Sequence, residues 1–137
     1  IKSRLDLWNV LKAVPTSNYR DYETPLYWMD FGNTQSTGQV VLGTIPKKIK
    51  QPASELYKTV DSLKVITRFV KYARVKEADS GPSCSLAEAL EKQDLFINST
   101  LAQLGCNILW KMFRHGMIEH HGLYLNLATM KVNPISC

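Results

Sequence analysis

Cys84 is the residue whose type and position best fit covalent chemistry. It ends a Gly-Pro-Ser loop, and residues 85–88, Ser-Leu-Ala-Glu, match a capping box that predicts the start of a helix. Exposed amides and the positive end of a helix dipole favour a thiolate, so a nucleophilic cysteine would be placed there. Glu77 and Asp79 oppose ionisation, and no histidine is near in sequence. The residues alone therefore favour an ordinary surface thiol over a nucleophile.

Two other short groups have the residue types of known sites without their context. Residues 30–32, Asp-Phe-Gly, spell the magnesium motif of protein kinases, but the Gly-rich loop, strand lysine and HRD loop are absent. We interpret them as a strand end whose carboxylate satisfies loop amides. His115, His120 and His121 fall in a predicted turn between glycines, which favours solvated histidines over metal ligands. The sequence predicts no metal site.

Basic residues form the remaining candidate binding surface. Lys64, Arg68 and Lys71 have the spacing of one helix face, and a connector at 46–52 adds three lysines. Such a face could meet an acidic surface or phosphates, although a solvated face is the commoner explanation. Because no aromatic residues are interleaved, the pattern does not indicate nucleic-acid binding.

The first half of the chain predicts helix, two strands and helix. Apolar steps of four, three and three predict an amphipathic helix over 1–14. Residues 26–31 and 39–45 are short, apolar runs rich in aromatic or β-branched side chains, and they predict two strands joined by a medium loop. An apolar stripe over 53–76 predicts mainly helix.

The second half predicts helices followed by a final strand. A short helix over 85–92 precedes a strong one over 94–114, which we expect to end at Gly116 and to carry Cys106 in its core face. Clean alternation over 122–132 predicts one last strand. We expect all strands to join one mixed sheet, with the 94–114 helix packed across it.

Composition limits the class of protein. The 137 residues suit one domain, and 45% hydrophobic with 21% charged residues is a globular profile. No signal peptide or membrane-length apolar run is present, and three cysteines without a short spacing argue against a disulfide framework or a CxxC zinc site. A cytoplasmic protein is expected. Because the first residue, Ile1, already falls in a predicted helix, the sequence reads as a piece of a longer chain.

Three phrases carry a resemblance to a known family. They are YWMDFGNTQSTGQVVLGTI (27–45), PSCSLAEALEKQDLFINSTLAQLGC (82–106) and GLYLNLATMKVNP (122–134). Together they resemble the C-terminal half of the ThiF/MoeB/HesA family, whose fold is shared with ubiquitin-activating enzymes. Within it the chain is most similar to the ThiF-type proteins of the bacterial PRTRC plasmid-associated system. The resemblance implies an α/β, Rossmann-type adenylating domain, with 1–137 as a single partial domain and 46–84 as its crossover.

The resemblance also implies an activity. Such proteins are ATP-dependent adenylyltransferases that activate the C-terminus of a ubiquitin-like or sulfur-carrier-like protein. Arg4 resembles the helix arginine of their nucleotide site, while the rest of the ATP and Mg²⁺ site would lie upstream of Ile1. Cys84 resembles the acceptor cysteine of members that form thioesters. The sequence has no G-x-G-x-x-G, so this chain alone is expected to be inactive.

Two function classes follow from this reading. In the first, the chain supplies the dimer and partner surfaces of an adenylyltransferase, and a homodimer is expected because family members are commonly dimeric. In the second, the chain is a non-catalytic interaction module of a plasmid-associated system, whose basic face binds an acidic protein. A reactive Cys84 would favour the first, and salt-sensitive binding with an inert thiol the second.

Overall fold

The computed structural model describes residues 2–14, 25–45, 48–49, 51–53, 56, 59–70 and 93–137. Its elements in chain order are α1 (Lys2–Ala13), β1 (Tyr27–Asn33), β2 (Thr37–Thr44), α2 (Ile66–Phe69), α3 (Ile97–His115), β3 (His120–Asn126) and β4 (Lys131–Ser136). The chain divides into two compact units, one of Ile1–Trp28 with Leu42–Lys76 and one of Met29–Val41 with Glu77–Cys137. We call them unit 1 and unit 2.

The four strands form one sheet in the order β1-β2-β3-β4. β2 pairs antiparallel with β3 from Thr37↔Asn126 to Val41↔Gly122, and β3 pairs antiparallel with β4. The α/β class is therefore confirmed, and so is a single sheet. The sheet is antiparallel rather than the mixed sheet expected. Short turns join β1 to β2 and β3 to β4 and so require antiparallel pairing there, and the β2–β3 pair in the middle is antiparallel as well.

The hairpin between β1 and β2 has a tighter turn than the sequence suggested. The backbone N–H of Thr34 donates to the Thr37 carbonyl at 2.8 Å, and the two hydroxyl groups are 2.6 Å apart. Only Gln35 and Ser36 lie between these paired threonines. Gly32 and Asn33 extend β1, and Thr37 and Gly38 extend β2, so the strands continue into the region predicted as a medium loop.

The last predicted strand is a hairpin. β3 ends at Asn126 and β4 begins at Lys131, with a turn closed by the Met130 N–H donating to the Leu127 carbonyl at 3.2 Å. The Asn126 side-chain oxygen accepts the Thr129 N–H at 3.1 Å, the local bond that makes asparagine a turn former. Met130 has φ 53°, in the left-handed region. Alternation alone missed this turn because no glycine marks it.

Helix α3 forms the core of unit 2 with the sheet. Ile97, Leu101, Gly105 and Ile108 are its buried residues. At Gly105 an added Cβ would lie 2.5 Å from the Phe31 ring, so the absence of a side chain lets strand β1 approach the helix. The predicted end is confirmed, because Gly116 has φ 71° and donates its N–H to the Met112 carbonyl at 2.8 Å.

Cys106 is exposed, not in the core as expected. Successive residues are 100° apart around a helix, so the residue after Gly105 is turned away from the buried stripe. The 94–114 prediction identified the helix but assigned this position to the wrong side.

Unit 1 shows that the predicted helix over 53–76 is wrong for its described part. Residues 59–65 are not helical, and α2 covers only Ile66–Phe69. Leu63 donates its N–H to the Thr44 hydroxyl at 3.0 Å, and the Thr44 N–H donates to the Leu63 carbonyl at 3.1 Å. Leu63 and Val65 are buried while Lys64 between them is exposed, the alternation of an extended segment.

Helix α1 matches the predicted N-terminal helix, and one of its side chains contacts β1. Trp8 stacks on Trp28 with ring centroids 6.1 Å apart and planes inclined by 21°. None of the residues of α1 is buried. Among the described residues, no helix combines the length and the apolar character needed to cross a membrane.

Candidate functional site

Of the two site residues that the family resemblance implies, the structure describes Arg4 but not Cys84. Arg4 lies on α1 in unit 1 and is partly exposed. Cys84 and the predicted helix over 85–92 lie outside the described residues. The structure therefore supplies no geometry between Arg4 and Cys84, and their roles stay predictions.

The three histidines are not all solvated. His115 and His120 are exposed, but His121 is only 3% exposed. It lies in β3 beside an irregularity of register, where His120 pairs with Ser136 and Gly122 pairs with Ile135. His121 lies two and four residues before the buried Leu123 and Leu125, the spacing of one strand face, whereas the exposed His120 has the spacing of the other face with Tyr124. Within the described residues, no group of three or more His, Cys, Asp or Glu side chains could hold a metal ion.

Asp30 lies within β1 and not at a strand end. The strand continues to Asn33, and the Asp30 side chain is 7% exposed. The interpretation of residues 30–32 as a strand end is therefore wrong, since Gly32 continues the strand rather than beginning a turn.

The predicted basic helix face is not formed as expected. Lys64 and Arg68 are both exposed, but Lys64 belongs to the extended segment and only Arg68 lies in α2. Lys48 is exposed as well, whereas Lys47, Lys50 and Lys71 lie outside the described residues. Exposed positive charge is present in unit 1 without the helical spacing that was inferred.

The most distinctive surface of unit 2 is the side of α3 that points away from the sheet. Phe113 is 76% exposed and Trp110 is 61% exposed, and at the other end of the helix Leu95 and Phe96 are 65% and 63% exposed. We call this surface the outer face of α3. It consists of two residues in the turn that leads into the helix and six residues along one side of the helix, namely Leu95, Phe96, Ser99, Ala102, Cys106, Leu109, Trp110 and Phe113.

Helical geometry explains why the outer face exists. A helix with one covered side normally carries polar residues on the opposite side. In α3 the buried stripe is matched, about half a turn away, by a second stripe of small and apolar residues. The core stripe alone accounts for a helix, so the second stripe is not needed to predict one. The available signal is a wide apolar arc, because most polar residues of the helix share one narrow side, at Thr100, Gln103, Asn107, Lys111 and Arg114.

Small side chains occupy the middle of the outer face and large ones its ends. Ser99, Ala102 and Cys106 are all exposed, so the central part of the helix is open to close approach by another backbone. At the C-terminal end the Arg114 guanidinium lies 5.9 Å from the centre of the Trp110 ring, a cation–π arrangement that holds a positive charge beside the apolar surface.

The charges at the two ends of α3 differ in sign. Asp94, which precedes the helix, accepts the Phe96 N–H on its carboxylate at 3.0 Å. Lys111, Arg114 and His115 lie at the other end, where positive charge suits the helix dipole. The helix therefore carries negative charge at its start and positive charge at its end, in addition to its outer face of small and apolar residues.

The C-terminal cysteine is a poor candidate nucleophile. The Cys137 thiol donates to the Ile118 carbonyl at 3.4 Å, and partial burial of the sulfur raises the pKa of the thiol above its usual value. Since the thiolate is the reactive form, Cys137 is less reactive at neutral pH than a fully solvated thiol.

Comparison with known proteins gave no match to this chain, whether to families, to curated proteins or to solved structures. Its function is therefore argued from its own residues. Among the described parts of the chain, the outer face of α3 is the surface whose composition departs furthest from that of an ordinary solvated surface.

Proposed function

We propose that this chain is an assembly module that brings two copies together through the outer face of α3. The observation that carries the proposal is the exposure of Trp110 and Phe113 on a regular 19-residue helix. Tryptophan and tyrosine, with arginine, dominate the binding energy of protein interfaces, and large exposed aromatic groups are enriched there. Arg114 beside Trp110 adds the third residue type of such surfaces.

The size of the face fits a second copy of the chain as occupant. A buried aromatic side chain covers about 150–250 Å², so three that are roughly two-thirds exposed present about 100–150 Å² each. With Leu95 and the small central residues, one copy offers on the order of 500 Å², near the upper end for an apolar patch on a monomer. Two copies together would bury about 1,000 Å², the lower size limit of a specific interface.

An interface of this size is expected to give a dimer that dissociates at micromolar concentrations. The test is the mass of the chain by light scattering and sedimentation over a concentration series, compared with Phe113→Ser. We expect Phe113→Ser to weaken the dimer at least tenfold. The matched control is Met130→Asn, because Met130 is an exposed apolar residue on the β3–β4 turn, away from the helix.

Three results would count against assembly through α3. A wild-type chain that stays monomeric at several hundred micromolar would exclude a useful dimer. Equal dissociation constants for wild type and Phe113→Ser would move the interface elsewhere. A loss in Met130→Asn as large as that in Phe113→Ser would mean that the effect is not specific to the helix. Circular dichroism of each variant checks that the helix is retained.

The narrower form of the proposal makes this module the C-terminal portion of a ThiF-like ATP-dependent adenylyltransferase. Its support is the resemblance of the three phrases, two of which coincide with the β1–β2 and β3–β4 hairpins. The substrate would be the C-terminal carboxylate of a ubiquitin-like or sulfur-carrier-like protein, with Cys84 as thioester acceptor. A Rossmann-type domain would then be completed by segments outside this sequence.

The described residues do not themselves fit ATP and Mg²⁺. They contain no cluster of carboxylates able to hold the ion, and the sequence has no G-x-G-x-x-G loop to bind phosphates. Arg4 is the residue here that would contribute to a nucleotide site supplied from elsewhere. No chemical step is assigned to this chain on its own.

Pyrophosphate exchange by the full-length gene product tests the narrower form. We expect exchange in the full-length protein, a loss in Arg4→Ala, and little change in Lys2→Ala, a matched cation on α1. A full-length protein without exchange activity would refute adenylation and leave the assembly proposal intact. A Cys84→Ala variant that still forms every protein adduct would remove the acceptor role.

The second candidate is a non-catalytic module that binds an acidic protein. It is favoured by the exposed cations Lys48, Lys64 and Arg68 in unit 1 and by a net charge of +5. Binding of this kind weakens steeply with salt, whereas association through apolar side chains does not. Salt dependence of a captured complex separates the two candidates.

A further inference from the structure

We infer that the two copies pack α3 against α3 antiparallel, in the register that places Ala102 of one copy opposite Cys106 of the other. This inference rests on the proposed function and specifies its interface. The partner is a second copy of this chain, and the contact is a symmetric pair of helices. The small residues lie in the central layers, and the large residues at one end of each helix lie beside large residues at the opposite end of the other.

The spacing of the outer face sets the type of packing. On α3 its central line alternates steps of three and four residues, through Ser99, Ala102, Cys106, Leu109 and Phe113. Leu95, in the turn before the helix, lies four residues ahead of Ser99. A repeat of four and three is the seam of a coiled coil, in which side chains of one helix fill holes in the other. Residues on this line are exposed or half-buried throughout, so the seam is available in the folded chain.

One antiparallel register satisfies the whole seam. When Ala102 faces Cys106 of the second copy, Ser99 faces Leu109. Phe113 then comes beside the turn of the other copy that carries Leu95. Each pair occurs twice, because the two-fold axis passes through the middle of the helix. The seam positions alternate between the a and d positions of a coiled coil, and each layer then pairs an a position of one helix with a d position of the other.

Side-chain size favours this register sterically. The central layers contain Ala102 with Cys106 and Ser99 with Leu109, so at least one member of each is small and the helix axes can approach to about 8 Å. Each end layer contains one leucine and one phenylalanine. On one flank, Phe96 comes beside Trp110 of the second copy, which covers the two exposed aromatic residues that lie off the seam.

Charge favours antiparallel over parallel packing. A parallel pair would bring the two positive ends together, each with Lys111 and Arg114, and would align the helix dipoles. The antiparallel pair places the positive end of one helix beside the end of the other that carries Asp94. Contact between like charges disfavours the parallel pair. The charges at the helix ends therefore favour the antiparallel orientation, and the side chains of the seam determine the register.

Disulfide cross-linking tests the register directly. The variant Ala102→Cys places a thiol opposite Cys106 of the second copy, and close facing positions bring Cβ atoms toward the roughly 3.5–4.5 Å that a disulfide needs. The background carries Cys84→Ser and Cys137→Ser, so Cys106 is the remaining native thiol. Diamide oxidises each thiol pair, accepting two electrons and two protons as the S–S bond forms.

The matched control is Asn107→Cys in the same background. Asn107 is exposed on α3 but lies off the seam, about 100° around the helix from Cys106. The background with Cys106 alone is the second control, because the inferred register separates the two Cys106 residues by about one helical turn. We expect Ala102→Cys to form covalent dimer at least tenfold faster than either control.

The outcomes separate the register from the assembly. Rapid cross-linking of Ala102→Cys alone supports the register. Equally rapid cross-linking of Cys106 in the background overturns it, because that result places like residues opposite each other. A non-covalent dimer by light scattering without selective cross-linking also overturns the register while the proposed assembly stands. A monomer by light scattering overturns both.

Discussion

A methyl group added at Gly43 tests the packing of β2 against the segment that precedes α2. The Cβ of Gly43→Ala would lie 2.5 Å from the Val65 Cα, 2.5 Å from its Cγ1 and 2.9 Å from its backbone nitrogen. Real Cβ atoms do not approach other atoms so closely. Two of the three atoms belong to the backbone, so a change of rotamer at Val65 cannot relieve the contact.

The size of the effect follows from what must move. The segment can retreat from β2 only by stretching the bonds that join Thr44 to Leu63, at 3.0 and 3.1 Å. Overpacking a core typically destabilises by about 1–3 kcal/mol, and a buried N–H left without an acceptor adds about 1–3 kcal/mol. Alanine recovers about 0.5–1 kcal/mol of backbone entropy. We expect a net loss of about 2–4 kcal/mol.

Urea unfolding of the whole chain, followed by circular dichroism and tryptophan fluorescence, measures this loss. The control is Gly105→Ala, also at a buried glycine, where the added Cβ meets the edge of the Phe31 ring. The Phe31 atoms that the Cβ meets belong to a side chain that is 41% exposed and not to the backbone, and alanine is the better helix former by about 1 kcal/mol. We therefore expect Gly105→Ala to change stability much less than Gly43→Ala.

Two results would refute this reasoning. A loss below 1 kcal/mol for Gly43→Ala would mean that the segment around Val65 does not pack on β2 as described. Full rescue by Val65→Ala would mean that the Cγ1 contact alone matters, since that substitution leaves the Cα and the nitrogen in place. We expect rescue of no more than about one-third.

Three further predictions concern single groups. Thr44→Val removes the hydroxyl that accepts the buried Leu63 N–H, and urea unfolding should show a loss of about 1–3 kcal/mol. Gly116→Ala forces a side chain into the left-handed region at φ 71°, and thermal unfolding should show a loss of about 1 kcal/mol, with Gly116→Asn losing less. Because the Cys137 thiol pKa is raised in the folded chain, its alkylation by iodoacetamide should reach half-maximal rate at a higher pH than in urea. The same shift stabilises the neutral thiol, so stability is retained below the usual thiol pKa and decreases as pH rises above it.

Local signals in the sequence predicted some elements well. The helix at 94–114 has a long apolar stripe and a glycine at its end, and both features act within one turn of the backbone. Ile97, Leu101 and Ile108 are buried as the stripe requires, and Gly116 closes the helix. These outcomes depend on residues within about four positions of each other, and the spacing of such residues can be read directly from the sequence.

Other features depend on partners far away in sequence. The apolar residues of 59–66 fit a helix by spacing, but the pairing of Thr44 with Leu63 draws the segment into an extended form. The place of Cys106 in mid-helix beside Gly105 predicts a core residue, but one step along a helix turns the side chain by about 100°, and the sheet covers the Gly105 side. His121 is buried because pairing with β4 extends β3 back to His120, which places His121 at the spacing of the buried Leu123 and Leu125. None of these pairings can be identified from local spacing.

The candidate surface could have been predicted only in part. The sequence alone shows that α3 is apolar around much of its circumference, which is typical of a helix covered on both sides. Which side the sheet covers depends on Gly105 and Phe31, which contact each other across more than seventy residues of chain. Only after that contact is fixed do Trp110 and Phe113 become identifiable as the exposed residues.

The pairing of β2 with β3 has a consequence for the rate of folding. Each pair in this ladder, from Thr37↔Asn126 to Val41↔Gly122, joins residues at least eighty positions apart. The two hairpins have short turns and close quickly on their own, but a lone hairpin is at most marginally stable in water. Bringing β2 and β3 together closes a long loop and so costs chain entropy. This cost comes before the β2–β3 hydrogen bonds and the packing of α3 stabilise the sheet. The step that joins β2 to β3 is therefore expected to limit the folding rate, and the high contact order favours slow folding in the range of milliseconds to seconds.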